Sequence, residues 1–320
     1  MRLIDDLDHA DISQPTIVTI GAFDGLHIGH QALVRDLVAH ARATISLSAL
    51  ITFHPHPRAV LRPWLSPKVL TTPGDKAALL AQMGLDILVL LRFSHRTAAM
   101  PADEFVRLVQ ERLRMCELWV GRGFALGRGR EGDLAALQRM GREMGFQVRV
   151  VEPVCLDGRP VSSTWVRELL AAGQVAEARR LLGRPYSLAG EVVQGVQRGR
   201  CLGYPTANLA VRPERAVPPD GVYAVYAWLG DERWPAVANV GVRPSFDMRT
   251  RTIEVHLIDY QGDLYGRDLV VEFIERLRPE RRFDEVCDLV RQIALDVERA
   301  RGLFASEEPK AVEEHGERIS

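Results

Sequence analysis

A chain of 320 residues is long enough for two domains, and its 47% hydrophobic and 26% charged content is that of an ordinary water-soluble globular protein. Forty-one basic and 42 acidic side chains leave a formal net charge of −1 with no basic block, so neither nucleic acid nor an anionic membrane is called for as a partner. The four cysteines, Cys116, Cys155, Cys201 and Cys287, form no C-x-x-C pair, which argues against a disulfide framework or a zinc site and suits a reducing cytosol.

In chain order, Met1 to Asp11 is acidic and lacks the apolar centre of a signal peptide. No later run approaches the ~20 apolar residues of a membrane span, so the expectation is a soluble cytoplasmic protein. Ile17–Ile20 reads as a buried parallel strand that runs into Gly21-Ala22-Phe23-Asp24-Gly25-Leu26-His27-Ile28-Gly29-His30. An amphipathic helix follows, with Leu33, Val34, Leu37, Val38 and Ala41 on one face. His27 and His30, at i and i+3, share one side of the helix entrance, where unpaired N–H groups and the dipole attract phosphate. The bland alternative is two histidines capping a surface helix.

Further strands are predicted at Ile45–Phe53, Asp86–Leu91, Leu118–Val120 and Val148–Val151. Helices alternate with them at Gly74–Met83, Ala102–Arg112 and Gly132–Met144, and two short ones follow near Trp165–Ala171 and Val175–Leu182. That alternation predicts a doubly wound parallel α/β sheet, Rossmann-like, with ligands at the strand C-terminal ends. Thr52-Phe53-His54-Pro55-His56-Pro57 lies at one such end, so His54 and His56 either contact substrate or decorate a turn. In Ser162-Ser163-Thr164-Trp165-Val166-Arg167, Ser163 or Thr164 would serve as an N-cap, and with Arg167 the same segment suits a triphosphate.

After Gly183-Arg184-Pro185 the pattern changes. Leu188–Val193, Val222–Trp228, Ala236–Val240, Thr252–Ile258 and Leu269–Ile274 are separated by turn residues alone, which predicts a small antiparallel β-barrel. A last helix carries Val286, Leu289, Val290, Ile293, Val297 and Ala300 in one stripe. The predicted domains are 1–183 and 184–304, with 305–320 a disordered acidic tail.

The barrel half opens with a glycine-rich basic loop, Gly195 to Asn208, containing Arg198, Gly199 and Gly203 and ending Pro205-Thr206-Ala207-Asn208. Its glycines allow N–H groups to curl around phosphate, while Thr206 and Asn208 offer hard oxygens suited to Mg²⁺. The sequence is not a Walker A loop, and an ordinary hairpin is the alternative. In Ile253-Glu254-Val255-His256-Leu257, alternation places Glu254 and His256 on one face. That face is either a functional one, where a carboxylate needs a partner, or the solvated side of an edge strand.

Together these segments resemble the bacterial bifunctional riboflavin kinase/FMN adenylyltransferase (FAD synthetase) family from about Thr16 to Arg301. The resemblance is carried in order by GAFDGLHIGHQ, TFHPHP, VSSTWVR, LLGRPYSLAG, GYPTANL, GVYAV, ANVGVRPSF, EVHL and DLYG. It implies that the barrel phosphorylates riboflavin with MgATP to give FMN, and that the α/β domain adenylylates FMN to FAD with release of pyrophosphate. Glu254 matches the family's catalytic base. His27 and His30 match its adenylyl-transfer histidines, and Gly21, Phe23, Asp24, Gly29, Ser163, Thr164 and Arg167 complete that ATP site. His56 and Pro57 match flavin contacts. Gly195, Arg198, Gly199, Gly203, Thr206 and Asn208 match the kinase nucleotide site, with Thr206 and Asn208 on the metal. Substrates are small molecules, and a monomer or weak homo-oligomer is expected.

Two departures bear on the second step. Gly123 stands where the family usually has Asp or Asn, and Leu126 where it usually has an aromatic; Ser245 for the usual Thr is a mild change. The alternatives are therefore a riboflavin kinase with weakened adenylyl transfer, and a non-catalytic flavin-binding or regulatory protein, against which intact His27, His30 and Glu254 count.

Overall fold

Apolar runs without alternation need cover on both faces, and here they form the centre of a parallel sheet. Its strands are β1 (Arg2–Ile4), β2 (Thr16–Ile20), β3 (Leu47–His54), β4 (Ile87–Arg92), β5 (Met115–Gly121) and β6 (Gln147–Val151). They are ordered β1-β4-β3-β2-β5-β6 and every pairing is parallel. The computed structural model describes residues 1–195, 202–244 and 249–307.

All five residues of β2 are buried. Val18, Ile20, Ala49 and Ile51 pack with Phe105, Val106 and Val109 of α5 (Ala102–Leu113) and Leu137 of α6 (Leu134–Met144). On the other face, Ile17, Leu50 and Leu88 pack with Val34, Leu37 and Ala41 of α1 (Ile28–Ala43) and Leu80 of α3 (Pro73–Gln82). The connections from β2 run outward to β3 on one side, while β5 pairs on the other. The crevice beyond the C-terminal ends of β2 and β5 is therefore the switch point of the sheet. It receives the Gly21–His30 segment.

The second fold is a closed antiparallel barrel, ordered β10-β13-β12-β11-β14-β9. Its strands are β9 (Tyr186–Val193), β10 (Ala207–Ala210), β11 (Gly221–Leu229), β12 (Glu232–Pro244), β13 (Arg249–Leu257) and β14 (Asp268–Arg278). Two short strands, β7 (Cys155–Leu156) and β8 (Arg159–Pro160), pair in the first half of the chain. Ala207, Tyr223, Ala238, Val255 and Phe273 are among the fully enclosed inner residues of the barrel. Outside it, Val222, Tyr226 and Val237 pack with Val297, Ala300 and Phe304 of a long helix, here α9 (Val286–Glu307).

The chain divides into two compact units, Met1–Arg167 with Leu181–Gly183, and Glu168–Arg180 with everything from Arg184 onward. The short helices α7 (Ser163–Ala171) and α8 (Val175–Leu182) thus each contribute to both.

Some expectations are corrected. Ala305, Ser306 and Glu307 are helical, so the tail expected from Ala305 does not begin there; residues 308–320 lie outside the described residues. The apolar stripe of α9 includes Phe304, while Val286 is exposed. Because the barrel is closed, β13 is no edge strand; it pairs on both sides. The sequence reading missed β1 and β10, which are short, and the small helices α2 (Pro57–Leu61) and α4 (His95–Ala99).

Asp296 of α9 is buried and pairs with Arg278 of β14, with Nε 3.0 Å from both carboxylate oxygens. Breaking such a pair leaves an uncompensated charge in the interior. Asp296→Ala should therefore lower unfolding stability by about 3 kcal/mol, read as a lower urea midpoint.

Candidate active sites

Residues Gly21 to Leu26 turn sharply at the end of β2. Gly25 has φ +81°, and the non-glycine residues Phe23 and Leu26 also lie in the left-handed region, at +45° and +42°. Such backbone persists only where the surroundings over-determine it. Here the determinant is the Asp24 carboxylate, which is buried. It accepts from the backbone N–H groups of Leu70 and Thr71 at 3.0 Å and from the Thr71 hydroxyl at 3.1 Å. It also pairs with the Arg167 guanidinium of α7. Arg167 Nε donates to the Lys68 carbonyl at 2.7 Å, and the Ser163 hydroxyl to the Asp24 carbonyl at 2.8 Å. Asp24, Ser163 and Arg167 are thus brought together. Thr164 is exposed on the first turn of α7, and the N-cap is Ser162, whose hydroxyl accepts from Trp165 N–H at 3.2 Å.

His27 caps α1, its Nδ1 accepting from His30 N–H at 3.4 Å. The two imidazoles stack, with centroids 3.7 Å apart, and Phe23 lies against His30. Burial lowers the His27 pKa to about 4, against a weaker opposing pull from Asp24. Burial also holds His30 well below the usual histidine range, with His27 and Lys76 adding to the effect. Both rings are therefore neutral at pH 7. With Nδ1 accepting, His27 carries its proton on Nε2 and can donate it to an oxyanion. His30 Nδ1 is buried and has no hydrogen-bond partner among the described residues.

Gln31, which the sequence reading passed over, ties this entrance to the returning chain. Its amide donates to the carbonyls of Leu26 at 2.8 Å and Leu182 at 2.6 Å. Lys76 of α3 was also missed. It is buried, and its Nζ donates to the Ala22 carbonyl at 2.9 Å and the Thr52 hydroxyl at 3.3 Å. A lysine just inside a Thr72/Asp75 capping box reads as solvated, so its sequence carried no signal of burial.

His56 and Pro57 line a separate cavity of about 360 Å³ beside Phe53, Phe93, Phe105 and Phe124, with Arg58 and Arg130 among its polar lining. The rings of Phe53 and Phe93 meet edge to face at 5.5 Å. An apolar, aromatic cavity with a few charged groups suits a flat heteroaromatic ligand. His56 caps α2 through Arg58 N–H, while His54 is exposed. Leu126 is buried and also lines the cavity. Gly123 is exposed; its carbonyl accepts from Arg130, and a Cβ built there meets nothing within 4 Å.

In the barrel, register places Glu254 opposite Asn208 on one side and Asn239 on the other. Their neighbours Ala207, Ala238 and Val255 point inward and are buried, so these polar residues share the outer face. Glu254 therefore faces away from the barrel interior, beside Asn208, on a strand that is central. His256, on the same face, contacts the Pro205 carbonyl at 2.9 Å through Nδ1, and Tyr204 packs edge-on against its ring. Thr206, Pro205, Val192, Leu257 and the segment from Tyr260 to Tyr265 enclose a cavity of about 520 Å³. Gly195 abuts the Asn208 amide, and a Cβ there would fall 2.1 Å from Nδ2. Gly203 takes φ +83°. Arg198, Gly199, Cys201 and Ser245 lie outside the described residues.

An α/β unit with a histidine pair at a helix entrance, followed by a closed barrel with a glutamate paired opposite Asn208, has the layout of a two-site nucleotide-dependent transferase. The FAD synthetase family matches residues 9–165 and the riboflavin kinase family residues 182–304. The bifunctional riboflavin kinase/FMN adenylyltransferase of Escherichia coli K12 is 39% identical over 295 residues, covering 92% of this chain and 94% of that one. The Pseudomonas fluorescens protein of the same name is 42% identical over 291 residues, covering 90% and 93%. A solved Streptococcus pneumoniae structure described as a macrolide-efflux protein superposes with TM-score 0.86 at 31% identity, covering 94% of this chain and 98% of that one. Among the described residues of this chain, no helix is long and apolar enough to cross a membrane. The chain belongs to the bifunctional riboflavin kinase/FMN adenylyltransferase family. It is an enzyme of flavin cofactor synthesis with both activities.

The neutral His27 makes a pH prediction. Its folded pKa lies below the unfolded value, so the unfolded chain binds the extra proton first and stability falls as pH drops from about 6.5 to about 4. The part due to His27 is about 3 kcal/mol, and His27→Gln should flatten the loss of stability across that window. Denaturant midpoints at pH 7 and pH 4.5, compared between the two proteins, check this.

Proposed function

We propose that the parallel-sheet unit transfers AMP from ATP to FMN, and that the barrel transfers the γ-phosphoryl group of ATP to riboflavin. In this reading the domains along the chain are 1–183 and 184–304, although Glu168–Arg180 groups with the second compact unit. The carrying observation is where each unit keeps a base. In the first unit, the carboxylate beside the histidines is Asp24, and it is occupied by Leu70, Thr71 and Arg167. A neutral His27 held near pKa 4 and a neutral His30 held well below the usual histidine range by burial are poor bases. That centre therefore suits a nucleophile that is already an anion. A phosphate monoester has its second pKa near 6, so the FMN phosphate arrives ionised.

One FMN phosphate oxygen bonds to the α-phosphorus of ATP, the bridge from that phosphorus to the β-phosphate breaks, and pyrophosphate leaves with the electron pair. His27 and His30 donate to the oxygens on which charge gathers, and the first N–H groups of α1 face the same region. Asp24 holds the loop and Arg167; Gly21, Phe23 and Gly29 shape the space, and Ser163 and Thr164 face the triphosphate. His56 and Pro57 hold the flavin.

The barrel differs because it presents Glu254. The riboflavin 5′-hydroxyl must lose its proton as it attacks the γ-phosphorus, and Glu254 takes that proton while ADP leaves. Thr206 and Asn208 are the residues that would hold Mg²⁺ with ATP. Their oxygens are hard, the absent Cβ of Gly195 leaves the Asn208 amide its space, and Mg²⁺ takes most of its remaining ligands from phosphate and water. When bound, the ion neutralises phosphate charge. In this reading Gly195, Arg198, Gly199 and Gly203 take part in binding the kinase's ATP. MgATP is abundant in the cytoplasm, which is where this reading places the enzyme, as a monomer or weak homo-oligomer.

Gly123 favours a second reading, a kinase whose adenylyl transfer is attenuated. The site is sterically open, so Gly123→Asn should fold with stability within about 0.5 kcal/mol of the parent. If the missing amide limits the reaction, that variant raises kcat/KM for FMN; an unchanged value removes the second reading. For the division of labour, Glu254→Gln should slow FMN formation by about 10²- to 10⁴-fold while FMN-to-FAD conversion continues. Equal losses in the two activities, measured by chromatography of products, would contradict it.

A further inference from the structure

Lys76 is a buried titratable group that the mechanism above leaves unused. Its ammonium has three donors and two acceptors, the Ala22 carbonyl and the Thr52 hydroxyl, and that hydroxyl itself donates to Ala22 O at 3.0 Å. Among the described residues no carboxylate lies within ion-pair distance of it. Asp24 acts on it at longer range but is itself paired with Arg167. A buried cation without a counter-ion is costly unless a charge arrives to meet it.

Its position says which charge. Lys76 acts electrostatically on His30, on the side where AMP is transferred, and on His56, at the aromatic cavity. Its Nζ bridges Ala22, in the loop leading to the histidine pair, and Thr52, next to Phe53 of the aromatic cavity, and so marks the interval between the two. In the assignment above, the phosphate of FMN must cross that interval to reach the α-phosphorus.

We propose that Lys76 is the standing positive charge of the adenylyl-transfer centre, placed behind the glycine loop to offset the dianionic acceptor phosphate. This rests on the adenylyltransferase reading. Lys76 takes no proton and forms no bond in the transfer. It works through space and through the Ala22 carbonyl it holds, so it is a positioning residue.

Burial pulls the Lys76 pKa below the ordinary lysine value, with Asp24 opposing. The titratable groups facing it are Asp24 on the loop and the histidines His30 on α1 and His56 at the start of α2; Asp75, its neighbour on α3, is engaged with Thr72 N–H. The histidines and the phosphate titrate on the acid side, which leaves an alkaline limb to Lys76.

The test uses the full chain with FMN, ATP and Mg²⁺, following FAD. Lys76→Met should lower kcat/KM for FMN by about 10²-fold, with a larger rise in KM for FMN than for ATP. Lys76→Arg should recover at least tenfold of that loss and, because guanidinium stays charged, lose the alkaline limb of the parent's pH profile. The parent itself should show that limb below the free-lysine range, which needs no variant. The proposal is overturned by Lys76→Met within threefold of the parent, by Lys76→Arg no better than Lys76→Met at an unchanged melting temperature, or by a parent profile flat to pH 10.5. A parent that makes no FAD at all overturns the adenylyltransferase reading together with it, whereas the other outcomes leave that reading standing.

Discussion

A carboxylate taken out of water has to be met by donors on nearly every side, and Asp24 shows how much structure that requirement can organise. Its oxygens hold Leu70 and Thr71 ahead of α3 and Arg167 at the start of α7, segments far apart in sequence. By fixing the loop between β2 and α1 it sustains left-handed backbone at Phe23 and Leu26. That backbone aims the histidine pair. Without such a hub the loop would relax to ordinary dihedrals, and the stacked imidazoles would lose the burial that keeps them neutral.

The second unit meets a different constraint with a different device. A closed barrel has no edge strand, so the neighbours of each position are set by register alone. Pairing across β10, β13 and β12 lines up Asn208, Glu254 and Asn239, although they are distant along the chain. His256 extends the same outer row and holds the Pro205 carbonyl, which places Thr206 at the mouth of the cavity. A carboxylate beside two asparagines follows from strand pairing, as the histidine pair follows from a buried carboxylate.

Much of this was legible in the sequence. Continuous apolar runs gave the parallel strands, and 3.6-residue periodicity gave the helices that cover them. The strand–glycine–histidine segment marked the helix entrance because glycine and histidine at those spacings have few other uses. Long-range pairing was not legible. Asp24 read as a substrate contact, because nothing local shows that Leu70, Thr71 and Arg167 converge on it. Lys76 went unnoticed for the same reason. Glu254 was left between a functional face and an edge, since only closure of the barrel decides that β13 has a neighbour on each side. β10 escaped notice because it has only four residues, directly after Pro205 and Thr206.

Two phosphate-transfer centres in one chain can be told apart by the bond each breaks in ATP. With FMN and MgATP supplied, the account predicts FAD and pyrophosphate in equal amounts and no ADP. With riboflavin, one equivalent of ADP should appear for each FMN formed before any pyrophosphate does. Quantifying ADP, pyrophosphate and flavins in the same reaction tests this directly. ADP released from the FMN reaction, or pyrophosphate appearing without matching FAD, would contradict the assignment of base-free adenylyl transfer to the histidine pair.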